Sequence, residues 1–107
     1  MADRWLFLVY SNPAEGKEAE YHEWYDHTHL PEVCALDGAL GAARYELAAQ
    51  DPEATHRFLA VYELDRDPEE FMADLGAATA DGRVHMPGLT APGSDFKFWK
   101  LRSEYTP

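Results

Sequence analysis

The segment YHEWYDHTHLPE, residues 21–32, combines aromatic and titratable side chains at high density and is the part of the chain around which the fold is interpreted. It holds three of the five histidines, one of the three tryptophans and two of the six tyrosines. At about 100° per residue, one face of a helix carries a mainly aromatic set, Tyr21, Trp24, Tyr25 and Thr28. A stripe along the edge of that face carries titratable groups, His22, Asp26 and His29. The segment therefore predicts an amphipathic helix with polar chemistry beside an apolar contact surface.

A strand and a turn precede this helix. Residues Arg4–Ser11 are apolar on both alternating sets, which is typical of a strand covered on both faces. Residues 12–16, NPAEG, have the composition of a turn. The helix is then predicted from about Glu15 to Thr28, with acidic residues in its early turns.

A proline interrupts the pattern at the end of the segment. Because Leu30 precedes Pro31, it is biased away from helical dihedral angles, and we expect the helix to break near His29. Pro31 can start a short second helical piece, which reaches about Leu36 and is closed by Asp37-Gly38.

Three further strands follow. Leu40–Ala48 alternates polar and apolar residues, which favours an edge position, whereas Arg57–Leu64 is apolar on both sets and favours a central one. Asp95–Arg102 is the last predicted strand.

A second helix and a long loop connect the last two strands. Asp67-Pro68 with Glu70 is a strong helix start, and Asp81-Gly82 is the predicted end. The following residues 82–94 include two prolines and three glycines, and connections of this length are often lids or binding loops.

The order of elements, β-α-β-β-α-β, predicts a single α+β domain over residues 1–107 with a ferredoxin-like fold. In that topology a four-stranded antiparallel sheet has its first and third strands in the centre. Two helices cover only one of its faces. Because monomers rarely leave a large apolar face in water, we expect a homodimer, in which two sheets pack together as an α/β barrel.

Composition excludes several classes of function. The chain has a formal net charge of −11, which disfavours nucleic acid and anionic membrane surfaces as partners. No run approaches the roughly 20 apolar residues of a membrane span. A single cysteine, Cys34, excludes an internal disulfide and fits a reducing compartment, so we expect a cytoplasmic protein with a buried structural thiol. Nucleotide-binding glycine loops and a serine elbow are absent from the sequence, and we expect no cofactor.

The stretch from Leu6 to Leu47 resembles the opening half of EthD-like members of the dimeric α/β-barrel superfamily. The matching features are Asn12-Pro13, Gly16, Trp24-Tyr25, His29-x-Pro31-Glu32, Gly38 and Arg44-Tyr45. Related barrels include cofactor-free monooxygenases, polyketide cyclases, lactone isomerases, haem enzymes and proteins of unknown role. The resemblance implies a pocket in each subunit between the helices and the sheet.

The resemblance also implies roles for individual residues. In isomerase and cyclase relatives a histidine of the first helical region acts with a tyrosine or a second histidine, and His29 matches that position. The tyrosine partner remains open among four candidates, Tyr10, Tyr25, Tyr45 and Tyr62. Haem-binding relatives usually carry a histidine in the second helix, and residues 69–81 contain none.

Each candidate residue has a functional and an ordinary interpretation. His29 is a general acid-base or a cap of the helix C-terminus. Tyr25, one turn earlier, orients His29 or binds a substrate oxygen, and otherwise belongs to the core with Trp24. Arg44 holds an anionic or enolic oxygen or pairs with an acid on the surface. His85 is a residue of a loop over the pocket or is exposed to solvent.

The favoured hypothesis is cofactor-independent acid-base chemistry on a hydrophobic, aromatic or polyketide-like molecule: isomerisation, cyclisation or oxygenation. One alternative is a non-catalytic ligand-binding or dimerisation module related to stress. Another is a metal site at His22, Asp26 and His29, whose donor atoms suit zinc or iron.

Overall fold

The computed structural model describes residues 3–49 and 51–107 and confirms the predicted order of elements. One antiparallel sheet, in the order β2-β3-β1-β4, contains β1 Trp5–Ser11, β2 Ala39–Glu46, β3 Phe58–Leu64 and β4 Asp95–Lys100. The helices are α1 Glu18–Trp24, α2 Leu30–Cys34 and α3 Pro68–Asp81. A π-helical turn, Tyr25–His29, joins α1 to α2. The fold is the predicted α+β ferredoxin-like arrangement, with β1 and β3 in the centre.

The helices pack on one face of the sheet, which we call the helix face. Phe7 of β1 lies at its centre, stacked against Phe98 and Tyr62 at ring-centroid distances of 4.7 and 5.5 Å. Phe71 of α3 meets the same ring edge-on at 6.1 Å. Tyr21 of α1 packs on Phe58 of β3 in the same layer. Strand alternation therefore directs one set of side chains into a single aromatic core.

The other face of the sheet, which we call the open face, carries apolar side chains that no described helix covers. The register places these members of the central and edge strands on it: Leu6, Leu8, Tyr10, Tyr45, Leu59, Val61 and Trp99. Trp99 and Tyr45 are 57% and 56% exposed. An apolar face of this size is the feature from which a dimer was predicted.

Helix α3 begins and ends as its sequence predicts. The Asp67 carboxylate accepts hydrogen bonds from the backbone N–H groups of Glu69 and Glu70, and Pro68 occupies the first helical position. Gly82 ends the helix at φ 88°, a conformation that favours glycine. Phe71 and Ala78 are buried against the core.

The predicted break near His29 is wrong. His29 and Leu30 both keep right-handed helical dihedral angles, and the Leu30 N–H donates to the carbonyl of Tyr25, five residues earlier. Pro31 lacks an N–H, and in a regular α-helix its ring would clash with the carbonyl of the residue four positions before it. The wider π-helical turn separates these groups, so the helix continues to Cys34 instead of breaking.

Among the described residues, no helix combines the length and apolar character that a bilayer crossing requires.

Cys34 is a free thiol, half-buried against the core, and burial raises its pKa. It is therefore a poor nucleophile at neutral pH.

Candidate functional site

A cleft of about 340 Å³ opens on the helix face, between the helical segment and the loop after α3. Trp24, Tyr25 and His29 form its helical wall, and Val9 and Ser11 of β1 form its floor. The outer wall comes from the loop, through Met86 and residues 90–94. The cleft thus has an apolar lining with a few polar groups, the usual composition of a small-molecule site.

The π-helical turn brings Trp24 and His29 together. Their rings stack at 4.4 Å with an interplanar angle of 27°, although they are five residues apart. In a regular α-helix, side chains with that spacing point about 140° apart. Tyr25 completes the group, with its ring perpendicular to His29 at 5.1 Å. We call Trp24, Tyr25 and His29 the aromatic triad.

The same turn separates His29 from the stripe predicted with it. His22 and Asp26 do not line the cleft, and both contact the Arg44 guanidinium instead. The predicted stripe assumed a constant 100° per residue, which a wider turn does not follow.

His29 is neutral at physiological pH. Burial lowers its pKa to about 4, and only the nearby Glu32 carboxylate acts in the opposite direction. Within residues 3–49 and 51–107, Nδ1 of His29 is one of two buried side-chain polar atoms without a hydrogen-bond partner. A buried polar atom left unpaired costs about 1–3 kcal/mol, so this nitrogen is available for a ligand or a water molecule.

Tyr25 is a neutral hydrogen-bond donor. It is 3% exposed, and burial, with a smaller effect of Tyr21, raises its pKa to about 12. Tyr62 lies beside it, and its hydroxyl is the second buried atom without a partner among the described residues. Burial raises the pKa of Tyr62 far above its ordinary value. Tyr62 therefore supports Tyr25 from the sheet and is not part of the cleft lining.

Arg44 holds Tyr25 from the side away from the cleft. Its guanidinium lies 4.4 Å from the centre of the Tyr25 ring, within cation–π range. Nη1 donates to Asp26 Oδ1 at 2.8 Å, and Nη2 contacts His22 Nδ1 at 3.1 Å. Arg44 pairs with an acid, as its ordinary interpretation predicts, but its side chain is only 13% exposed and does not lie on the surface. Its side chain does not line the cleft, so it is not placed to hold a substrate oxygen there.

The same contacts argue against the metal alternative. The Arg44 cation already occupies the space between His22 and Asp26, and His29 points to the cleft instead. Among the residues that the structure describes, no group of three or more His, Cys, Asp or Glu side chains is arranged to hold a metal ion.

His85 fastens the loop to the helix. Oε1 of Glu32 accepts a hydrogen bond from the His85 backbone N–H at 2.8 Å. Oε2 of Glu32 pairs with His85 Nδ1 at 2.5 Å. Trp24 Nε1 donates to the His85 carbonyl at 3.2 Å. The imidazole itself is exposed, so His85 holds the loop in place and does not line the cleft. Hydrogen bonding to His85 also lowers the pKa of Glu32.

Two of the predicted binding tyrosines lie elsewhere. Tyr10 and Tyr45 are on the open face, because strand alternation directs them away from the helices. The structure does not bring either residue to His29. Of the four tyrosines considered as its partner, only Tyr25 both touches His29 and lines the cleft.

Several residues of the cleft are not identified by the sequence patterns. Ser11 is predicted only as a strand residue, yet it is the single polar residue on the buried set of β1, which marks it as unusual. Met86 and residues 90–94 lie in the long loop that was predicted as a possible binding loop. Glu32 belonged to the matching motif, but no role was assigned to it.

A larger cleft of about 600 Å³ lies on the opposite side of the sheet, beside the ends of β1 and β4. Its lining includes exposed groups such as Trp99, Lys100 and Glu104. Neither of the two buried, unpartnered polar atoms of the described chain lies there. We therefore assign the chemistry to the smaller cleft.

No protein-family model matches the sequence, and no curated protein matches it.

Solved structures share the fold. A proposed monooxygenase from Shewanella loihica is 19% identical, with a TM-score of 0.55 over 98% of this chain and 97% of that one. An EthD family protein from Bacillus halodurans is 17% identical, with a TM-score of 0.58 over 94% and 99%. A protein of unknown function from Nitrosomonas europaea is 16% identical, with a TM-score of 0.57 over 100% and 96%. The resemblance to EthD-like proteins is therefore confirmed at the level of the fold.

Proposed function

We propose that this chain is an EthD-like enzyme that performs cofactor-independent acid-base chemistry on a hydrophobic, aromatic small molecule. The observation that carries the proposal is the buried, unpartnered Nδ1 of His29, whose ring packs against that of Tyr25 in an apolar cleft. Proteins rarely leave such an atom unpaired, and each case calls for an explanation. A ligand group that bonds to it supplies one.

The two residues suit complementary roles. Neutral His29 accepts a proton from the ligand and returns it to another atom of the same molecule. Tyr25, which stays protonated, donates a hydrogen bond to the ligand oxygen on which negative charge develops. With its pKa lowered to about 4, His29 is a weak base. The proton it removes must therefore be an activated one, as in a phenol, an enol or a carbon next to a carbonyl group.

Isomerisation and cyclisation both use such a proton transfer, and oxygenation of an activated phenol begins with it. The fold shared with the proposed Shewanella loihica monooxygenase supports oxygenation as one member of this set.

A homodimer completes the proposal. The apolar side chains of the open face would be buried if a second copy packed its own open face against them, which forms an α/β barrel. Sedimentation velocity at micromolar concentration tests this, and a monomer would contradict it. We also retain a cytoplasmic location as a prediction, which rests on the single cysteine.

The test of the mechanism compares two histidines of the same turn. A panel of bicyclic and tricyclic phenols and 1,3-diketones is screened for tautomerisation, ring closure and oxygen uptake. Replacing His29→Ala should lower turnover by about 10²-fold or more. His27→Ala is the matched control, because His27 is exposed and pairs only with Glu23. Equal turnover in both variants would remove His29 from the mechanism.

A non-catalytic ligand-binding module is the second candidate. The lowered pKa of His29 favours it, because so weak a base can accept a hydrogen bond from a ligand but removes protons poorly. If this candidate is correct, ligands bind to the purified protein but none is converted, and His29→Ala weakens binding alone.

A further inference from the structure

We infer that the cleft of the aromatic triad selects an uncharged ligand of one or two rings and rejects carboxylate and ammonium analogues of the same shape. The inference rests on the proposed function in one respect, that a ligand occupies this cleft.

The lining of the cleft carries no formal charge. None of the described residues that line it is Lys, Arg, Asp or Glu. Its titratable members are Tyr25 and His29, and both are neutral near pH 7. The remaining polar side-chain groups are the hydroxyls of Ser11, Thr90 and Ser94 and the indole N–H of Trp24, which already donates to the His85 carbonyl.

The charged groups beside the aromatic triad are already paired outside the cleft. Glu32 is bound to the backbone N–H and the ring of His85, and Arg44 is bound to Asp26. Neither pair can turn to a ligand without breaking contacts that hold the loop or the triad. An anion in the cleft would thus lose its hydration without gaining a cation, which is unfavourable.

The net charge of the protein affects anionic and cationic ligands in opposite ways. A net charge of −11 repels an anionic ligand at long range and attracts a cationic one. That attraction is screened within about 8 Å at physiological ionic strength. The lack of a counter-charge in the cleft lining, in contrast, does not depend on salt. An ammonium ligand should therefore bind detectably only at low salt.

The polar groups and the volume of the cleft indicate which uncharged ligands it can bind. The unpartnered Nδ1 of His29 and the hydroxyl of Tyr25 suit a ligand hydroxyl or carbonyl group, whereas the Ser11 hydroxyl is already bonded to that of Tyr21. The volume of about 340 Å³ lies near the lower end of the range of roughly 300–1,000 Å³ for small-molecule pockets. A ligand of one or two rings fits within such a space.

Three probes with one bicyclic body test the inference: 2-naphthol, 2-naphthoate and 2-naphthylmethylammonium, each titrated by calorimetry at pH 7 and physiological salt. We expect 2-naphthol to bind at least tenfold more tightly than either ion. Binding of either ion as tight as that of 2-naphthol would overturn the inference while leaving the cleft as the site. If none of the three binds, the cleft is not a site for such ligands, and both the inference and the proposed function fail.

A lysine introduced at the cleft provides an independent test of the inference. Ser94→Lys puts a cation on the exposed part of the lining, and Ser103→Lys adds the same charge away from it. We expect Ser94→Lys to shift the ratio of naphthol to naphthoate affinity toward naphthoate by at least tenfold, with no such shift in Ser103→Lys. An unchanged ratio in Ser94→Lys would show that the missing cation is not what rejects the anion, and would overturn the inference.

Discussion

The two faces of the sheet present opposite combinations of polarity and exposure. The helix face is closed by aromatic rings, yet among the described residues it holds the two buried side-chain polar atoms without hydrogen-bond partners, in His29 and Tyr62. The open face is largely apolar and exposed, and the larger of the two clefts described lies at its edge. The larger cleft and the unpaired polar atoms that could bind a ligand therefore lie on different sides of the sheet.

This difference separates two kinds of surface. Apolar area without buried polar groups is suited to association, because its burial is non-directional and favourable. A small cleft with unpaired polar atoms is suited to a ligand, because the missing hydrogen bonds fix the orientation of what binds. The following experiments test that separation, beginning with the largest expected effect.

A pair of core and surface truncations compares the two faces directly. Phe71→Ala removes a ring that is fully buried on the helix face, and we expect it to lower the free energy of unfolding by about 3–5 kcal/mol. Trp99→Ala on the open face should change it by less than about 0.5 kcal/mol at concentrations where the chain is monomeric. Urea unfolding followed by circular dichroism measures both.

The same Trp99→Ala variant should weaken self-association in sedimentation experiments. If it unfolds as readily as Phe71→Ala in dilute solution, the open face contributes to the fold of the monomer and the contrast between the faces is lost.

Acid should destabilise the protein through His29. Its pKa is about 4 in the folded state against 6.5 in the unfolded chain, so the unfolded state binds more protons between these values. Stability is therefore full above pH 6.5 and falls as pH drops toward 4, by about 3 kcal/mol from this group. The slope is measured by thermal unfolding across that range.

His29→Gln should remove this part of the slope, and the exposed His27 supplies the control, since His27→Gln should keep it. Parallel curves for the wild type and His29→Gln would show that His29 is not buried as a neutral group.

Two helical prolines test what positions His29. Pro31→Ala restores a backbone N–H and removes the ring that opposes a regular helix, so we expect His29 to withdraw from Trp24. The pKa of His29 should then rise by at least one unit, equivalent to about 1.4 kcal/mol. Pro68→Ala, at the start of α3, should leave it unchanged. NMR titration of the imidazole resonances reports both variants, and identical titrations would show that Pro31 does not maintain the turn.

Two buried hydroxyls should give small effects of opposite sign. Tyr62→Phe removes a hydroxyl without a partner and should raise the free energy of unfolding by up to about 1 kcal/mol. Tyr21→Phe breaks a 2.5 Å hydrogen bond to Ser11 and should lower it by about 1 kcal/mol. A loss of stability in Tyr62→Phe would indicate that a bound water molecule pairs with its hydroxyl.

Strand patterns and helix-terminal residues predicted the fold almost completely. The continuous apolar character of β1 and β3 distinguished the central strands from the edges, because only strands covered on both faces need it. Asp67 and Gly82 marked the two ends of α3, because their roles depend on local backbone geometry alone. These features are local or periodic, and sequence carries them directly.

The site was predicted less completely, because it depends on departures from periodicity. Tyr25 is predicted as a partner of His29, and their rings do lie in contact, but His29 is predicted on one stripe with His22 and Asp26. Only the π-helical turn separates them. The assignment of Tyr10 and Tyr45 failed for a different reason: a sheet pattern shows which residues share a face, and it does not show which face the ligand meets.

The π-helical turn also bears on how related sequences should be aligned. A turn closed by a hydrogen bond from residue i+5, in place of i+4, contains one residue more than the α-helical turn it replaces. It is the structural equivalent of a one-residue insertion between Trp24 and Pro31. A homologue that lacks this residue would keep both flanking helices in place while presenting a different side chain to the cleft. Its alignment gap, more than its percentage identity, would then indicate whether it has kept the same chemistry.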